Sequence, residues 1–350
     1  MLKVPPMLTS PPQSAPLPTY LQLTRLVPPG FARWLGGVLG WWFAVLPLRE
    51  QMRCRRHLRR AFPWKSEAWI ERTTRGCFRH FGRMALWSIA TVTHSPRTLM
   101  RPIVVEGAEH LRECNRASRR GQGTVLFTGH FGNWELACRV GSKVVPATLI
   151  GKRLRQQLLD RLVVGVRTSF GAQQLYQDQD IRHSIRALRS GRVICTLVDQ
   201  DIARLPGIHV PWFGIPAYTA TAPAALAMLG GGMVQLVFCY ERRGRWVLHF
   251  SPRRHFPRSA DRKADLHAIT RWVTAYEEGL VRLNPQQWVW WHQRWRTLEP
   301  LVPPPYTQET ISLASMLATE PVEEVSGLSL RSGLGGRTTS ATDRYVESER

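Results

Sequence analysis

Acidic residues are in short supply. Of 350 residues only 25 are Asp or Glu, against 48 Lys and Arg, so the formal net charge is +23. A surplus of that size calls for an anionic partner: nucleic acid, acidic lipid or an acidic protein. Cysteine is also sparse. Cys54, Cys77, Cys114, Cys138, Cys195 and Cys239 lie far apart, with no C-x2-C pair. That spacing argues against structural disulfides and a cysteine metal site, and for a reducing setting. Cys138 and Cys195 fall in apolar runs and read as core thiols. Long hydrophobic runs are missing too. The main uncharged stretch, residues 34–48, would cover roughly 22 Å as a helix, short of a hydrocarbon core of roughly 30 Å. No internal repeat is present.

Tryptophan is the exception. There are 14, more than a nucleic-acid binder would carry and well suited to a membrane interface. Trp34, Trp41 and Trp42 fall in the uncharged stretch, and Arg49, Arg53, Arg55, Arg56, Arg59 and Arg60 follow it. The expected partners are therefore a membrane and anionic lipid, not nucleic acid. Residues 31–48 read as a membrane-anchor segment, spanning or partly inserted, with the arginines on anionic headgroups or on the cytoplasmic side. Residues 1–30, rich in Pro, Ser and Thr, read as a disordered leader, and 306–350 as a disordered tail. A catalytic domain is expected over 49–305.

Within that domain Glu67 to Val92 reads as a long amphipathic helix, with Trp69, Phe78, Phe81, Ala85 and Ile89 on related faces. From about residue 103 strands and helices alternate. Strands are expected at 103–106, 124–128, 144–150, 174–176, 193–198, 234–240 and 246–250. Helices are expected at 108–120, 133–142, 153–166, 180–190, 218–229 and 262–283. Such alternation predicts an α/β fold with a mostly parallel central sheet flanked by helices. Strands 234–240 and 246–250, joined through Arg242-Arg243-Gly244, would form an antiparallel hairpin at its end.

The chemistry concentrates in Gly129-His130-Phe131-Gly132-Asn133-Trp134-Glu135-Leu136. It follows a buried strand, and Asn133 is a good helix N-cap, so Glu135 falls in the first helical turn. His130 is then free to reach a substrate hydroxyl as general base, and Glu135 can hold its tautomer. Backbone N–H groups near Gly132 and Asn133 are candidates for binding an oxyanion or phosphate. The bland alternative is a histidine that only satisfies a strand-to-helix turn.

This block resembles the H-x4-D/E motif of glycerolipid-type acyltransferases. Its wording is similar to the branch that acylates lipid A in Gram-negative bacteria. Three further stretches match that branch: Val198-Asp199-Gln200-Asp201, Val210-Pro211-Trp212-Phe213-Gly214-Ile215-Pro216-Ala217 and Gln287-Trp288-Val289-Trp290-Trp291-His292-Gln293-Arg294-Trp295. The resemblance spans roughly residues 33–300. It implies a glycerolipid acyltransferase-like fold with an N-terminal helical membrane-anchor region. It also implies a membrane-associated enzyme at the cytoplasmic face of the bacterial inner membrane. Such an enzyme moves a fatty acyl chain from acyl carrier protein, or from CoA, to a lipid hydroxyl with no cofactor and no metal. The implied catalytic pair is His130 and Glu135.

Other residues carry open readings. Arg167, at a helix end, is expected to bind phosphate by two parallel hydrogen bonds, or merely to face the helix dipole; Lys152 and Arg153 rank below it. Asp199 and Asp201 read as one carboxylate orienting Arg167 or a substrate group and one capping the following loop, with a metal-binding pair disfavoured. Trp212 and Phe213 read as an apolar lip for the acyl chain, or as core. Trp288, Trp290, Trp291 and Trp295 read as packing, and His292 as structural. The acceptor is expected to be a lipid A precursor, a mannosylated phosphoinositide or an aminolipid. The alternatives are a non-catalytic basic binding protein and a thioester hydrolase.

Overall fold

A computed structural model describes residues 22–101, 103–177 and 181–297. The expected tail, 306–350, and most of the expected leader lie outside these residues. The last part of the expected leader is structured: a short 3-10 turn occupies Leu23–Leu26, and the first described helix, α1 (Pro29–Val45), begins on a proline suited to its first turn.

Three helices build the N-terminal layer. After α1 come α2 (Arg49–Ala61) and α3 (Glu67–Ala90), whose N-cap Ser66 accepts from the Trp69 N–H. Helix α1 is inside out relative to a core helix. Its small residues, Ala32, Gly36, Gly37, Gly40 and Ala44, are buried, while Phe31, Trp34, Trp41, Trp42 and Phe43 are exposed. The cause is close backbone approach to α3: a Cβ on Gly36 would overlap the Gly82 carbonyl, and one on Gly40 the Phe78 carbonyl. Among the described residues no single helix is long and apolar enough to cross a membrane. Helices α1 and α2 pass that test only as a pair bent by 82°. Half of the arginine cluster is engaged within the protein: Arg55 pairs with Glu71, exposed Arg59 with Glu67, and exposed Arg60 lies over Trp295. The buried face of α3 runs through Ile70, Cys77, Phe81, Met84 and Trp87, leaving Ile89 and Ala85 outward.

A short helix, α4 (Pro96–Met100), leads into the sheet. Its strands are β1 (Ile103–Glu106), β2 (Thr124–Thr128), β3 (Ala147–Gly151), β4 (Gln173–Tyr176), β5 (Val193–Leu197), β8 (Met233–Arg242) and β9 (Arg245–Phe250), in the order β1-β9-β8-β2-β5-β3-β4. All neighbours are parallel except β8 and β9, joined at Arg243 and Gly244 in left-handed backbone. The hairpin is as expected, but it does not close the sheet, because β1 pairs outside β9. A two-residue strand, β10 (Arg254–His255), pairs antiparallel with β8. Helices α5 (Ala108–Arg119), α6 (Trp134–Gly141), α7 (Gln157–Thr168), α8 (Ile181–Arg189), α9 (Ala222–Leu229) and α10 (Arg262–Leu283) flank it.

One element contradicts the sequence pattern. Residues expected to start a helix at 218 instead complete a separate hairpin, β6 (Gly207–Trp212) with β7 (Ile215–Ala220), turned at Phe213 and Gly214 in left-handed backbone. Six free thiols are present, and none is bridged.

Candidate active site

The site forms where parallel strands end. β2 and β5 are neighbours in register, with Thr128 opposite Leu197. The chain therefore delivers His130 and Asp199 side by side, each two residues beyond its strand, at the carboxyl edge where open α/β sheets bind ligands.

Asp199, not Glu135, holds the histidine. Nδ1 of His130 lies 2.7 Å from Asp199 Oδ1, and the His130 backbone N–H donates to Oδ2 at 2.7 Å. Oδ2 also accepts from the Trp288 indole N–H at 2.9 Å. Asp199 is fully buried; burial alone would raise its pKa, but the charge and hydrogen bonds of His130 hold it well below the usual carboxylate range. With Nδ1–H given to Asp199, Nε2 is the acceptor. Gln200 Nε2 stands 3.3 Å from it and 3.2 Å from His292 Nδ1. His292 faces His130 edge-on at 4.7 Å between ring centroids, and burial, then His130, lowers its pKa to about 4. His292, read from sequence as structural, thus stands beside His130, and the orienting role given to Glu135 is corrected.

Glu135 belongs to a different pair. Arg167 donates to it twice, from Nε at 2.9 Å and from Nη2 at 2.6 Å, and the Trp134 indole adds a third bond at 3.0 Å. Burial opposes the Arg167 charge, but Glu135 outweighs it and raises the guanidinium's pKa. Arg167 is held by Glu135 and not by Asp199, with Nε and Nη2 taken up by that pair. The Trp134 ring also meets the His130 ring at 5.0 Å, so the pair supports the wall beside the histidine.

The expected backbone donors are spent. The Gly132 N–H goes to the Gln287 carbonyl at 2.7 Å and the Asn133 N–H to the Cys239 carbonyl at 2.6 Å. Asn133 is an N-cap, as its sequence position suggests, accepting from the Leu136 N–H at 2.9 Å, and it is buried. Gly132, at φ 60°, has no room for a Cβ against the Cys239 carbonyl. These residues shape the loop and do not present donors to a substrate.

Trp212 and Phe213 are core, not a lip. Trp212 packs on Trp288 at 5.3 Å and Phe213 on Trp290 at 5.6 Å, while Glu278 accepts the Phe213 N–H. Asp201 accepts from the Thr297 N–H and hydroxyl, tying down the end of the described chain rather than a metal or the loop that follows it. Among the described residues no group of His, Cys, Asp and Glu could hold a metal. Arg153 lies 3.8 Å over the Tyr176 ring.

Sequence reading missed Glu277. It is buried against Asp199, and a Cβ on Gly129 would fall within its carboxyl group. Burial and then the Asp199 charge raise its pKa well above the usual range. The Asp199 charge thus favours keeping a proton on Glu277. Arg294, also buried, balances that charge while donating to the Tyr218 carbonyl and the Thr219 hydroxyl, each at 2.7 Å.

A histidine with a buried carboxylate behind it, at the carboxyl edge of a mostly parallel sheet, marks the candidate site of this α/β protein. The chain belongs to the bacterial lipid A biosynthesis acyltransferase family, whose model matches residues 19–297. It is similar to the phosphatidylinositol mannoside acyltransferase of Mycobacterium tuberculosis (strain ATCC 25618 / H37Rv), with 26% identity over 219 residues, 60% of this chain and 65% of that protein. It is also similar to the lipid A biosynthesis lauroyltransferase of Escherichia coli (strain K12), with 27% identity over 214 residues, 60% of this chain and 67% of that protein. A lipid A biosynthesis acyltransferase of Haemophilus influenzae matches more of the length, at 22% identity over 79% of this chain and 86% of its own. The match thus spans 65% of the mycobacterial relative.

Proposed function

We propose that this protein is a membrane-associated O-acyltransferase that moves a fatty acyl chain from a thioester to a hydroxyl of a lipid A precursor or similar glycolipid. The observation that carries this reading is the hold of Asp199 on Nδ1 of His130, which leaves Nε2 as the base. Nε2 takes the proton of the acceptor hydroxyl as its oxygen attacks the thioester carbonyl carbon. The C–S bond then breaks, and the departing thiolate takes the proton back from the imidazolium. Asp199 stabilises that imidazolium, and no enzyme nucleophile is needed because the thioester is already activated. Gln200, at Nε2 in this state, must yield its place to the hydroxyl.

The exposed aromatic face of α1 and the free arginines of α2 support attachment to an anionic membrane surface. The catalytic domain would then lie on the cytoplasmic face of the inner membrane. The net charge of +23 suits an acidic acyl carrier protein as donor, with CoA as the alternative. Relatives named for lipid A and for phosphatidylinositol mannoside keep both acceptor classes in play. The test is purified protein in detergent with acyl carrier protein or CoA thioesters and each acceptor, the lipids being read by mass spectrometry. An acylated lipid that disappears with His130→Ala supports the reading. Free fatty acid as the only product would make it a hydrolase instead.

A further inference from the structure

A cavity of about 420 Å³ is separate from His130, and none of residues 129–136 lines it. Its lining includes Arg79, His80 and Arg83 of α3, Glu241 and Arg243 of the β8–β9 hairpin, and Gln287. The volume is that of a small-ligand site. Its charge is one-sided. Glu241 is already paired with Arg33 of α1, whereas Arg79, Arg83 and Arg243 make no ion pair among the described residues.

His80 adds a second, independent observation. It is 7% exposed, and its Nε2 has no hydrogen-bond partner. The ring is hydrogen-bonded to the Gly132 backbone, and the Gly132 N–H is already given to Gln287, so His80 donates from Nδ1 to the Gly132 carbonyl. Nε2 is then a buried acceptor with nothing to accept from, a costly state unless a ligand supplies the proton. Burial, together with Arg33 and Arg83, lowers its pKa to about 4, although the Gly132 bond acts the other way. The charged groups around it are Arg33 from α1, Arg79 and Arg83 from α3, and Glu241 and Arg243 from the hairpin.

We propose that this cavity binds a phosphate monoester, held by Arg79, Arg83 and Arg243 and sharing one proton with Nε2 of His80. Guanidinium groups match phosphate oxygens in pairs. A monoester has a second pKa near 6 and so can bring a P–O–H donor to Nε2, or leave that proton on the ring. Either way the complex contains one proton that the free partners lack at higher pH. Sulfate, fully ionised, has none to bring. The monoester could belong to a lipid headgroup or to a soluble molecule. The inference stands apart from the acyl-transfer reading, since it uses neither His130 nor Asp199.

The probe is inorganic phosphate, titrated calorimetrically into the full chain in detergent. Binding should weaken by up to about tenfold per pH unit as the pH rises above the second phosphate pKa. Sulfate should bind more weakly than phosphate at the same pH. Arg79→Gln with Arg243→Gln, both at exposed positions, should weaken phosphate by about tenfold or more. His80→Gln should flatten the pH dependence; if it does not fold, the arginine pair carries the test alone. Flotation with phosphatidylcholine vesicles, with and without phosphatidic acid, identifies the source. Capture by phosphatidic acid that needs Arg79 and Arg243 assigns a headgroup, and phosphate binding without such capture assigns a soluble monoester. Phosphate affinity unchanged in the arginine pair or independent of pH overturns the proposal, as does failure of both probes to bind.

Discussion

Asp199 grips His130 twice, at the ring through Nδ1 and at the backbone through the N–H, both at 2.7 Å. One carboxylate thus sets the tautomer of the imidazole and the position of the loop that carries it. Asp199→Asn keeps the size but offers an amide that can present N–H to Nδ1 and shift the ring proton to Nε2. The expected result is a fall in kcat of roughly a thousandfold or more with little change in KM. Turnover within about threefold of the parent would remove Asp199 from the mechanism.

The same relationship explains what sequence could reveal. The seven main strands of the sheet, to within a few residues, and the N-cap at Asn133 follow from short-range pattern, and His130 leaves β2 on the loop where it was expected. The partner of His130 does not, because 69 residues and six described elements, α6 through β5, separate it from Asp199. Only the pairing of β2 with β5, skipping β3 and β4, brings them together. Glu135 lay five positions away and looked like the partner, but the first turn of α6 carries it toward Arg167. Trp212 and Phe213 misled for a related reason: an apolar run beside Gly looks the same whether it lines a groove or turns a buried hairpin.

The Glu135–Arg167 pair should behave as one unit. Either partner, once removed, leaves the other partly buried and unpaired. Glu135→Gln and Arg167→Gln should each lower activity and thermal stability, and the double variant should be no worse than the poorer single. A coupling energy of about 1–3 kcal/mol is expected from the cycle. Strict additivity in both turnover and Tm would separate the two residues and reopen a direct contact of Arg167 with substrate.

Glu277 offers a test of proton sharing beneath the base. If its carboxyl is protonated and donates to Asp199, an amide can replace it, because Gln also donates. Glu277→Gln should therefore remain within roughly fivefold of parental turnover. Glu277→Leu, which leaves Asp199 without that donor, should lose more activity and about 1–3 kcal/mol of stability. Equal damage from Gln and Leu would mean that Glu277 is ionised and serves as a second negative charge.

The inside-out packing of α1 predicts where the membrane contact lies. Replacing Trp34, Trp41 and Trp42 together by Gln should reduce flotation with anionic liposomes while leaving Tm nearly unchanged, because these side chains are exposed. Fully retained flotation would move the contact to another surface. A large fall in Tm would show that the three rings pack within the fold.

Buried His80 and half-buried His292 set much of the acid side of stability. His80 and His292 both have pKa values lowered to about 4, chiefly by burial. In the unfolded chain each would take a proton near pH 6.5. The unfolded state therefore binds more protons between these two values, so the contribution of each neutral ring is complete above pH 6.5 and shrinks as pH falls toward 4. The full difference is about 3 kcal/mol per ring, an order-of-magnitude figure. Denaturant unfolding without phosphate should show stability falling steadily across that window. His292→Asn should reduce the slope by removing one such titration, even if it lowers stability at neutral pH. The Asp199–Glu277 pair does not imitate this effect, since Asp199 is depressed below the window and Glu277 is raised above the usual carboxylate range. A carboxylate with a raised folded pKa gives stability that is present at low pH and is lost as pH rises, the opposite direction. Stability that is flat from pH 6.5 to 4, or a slope that His292→Asn leaves untouched, would show that these rings are not held neutral by the fold.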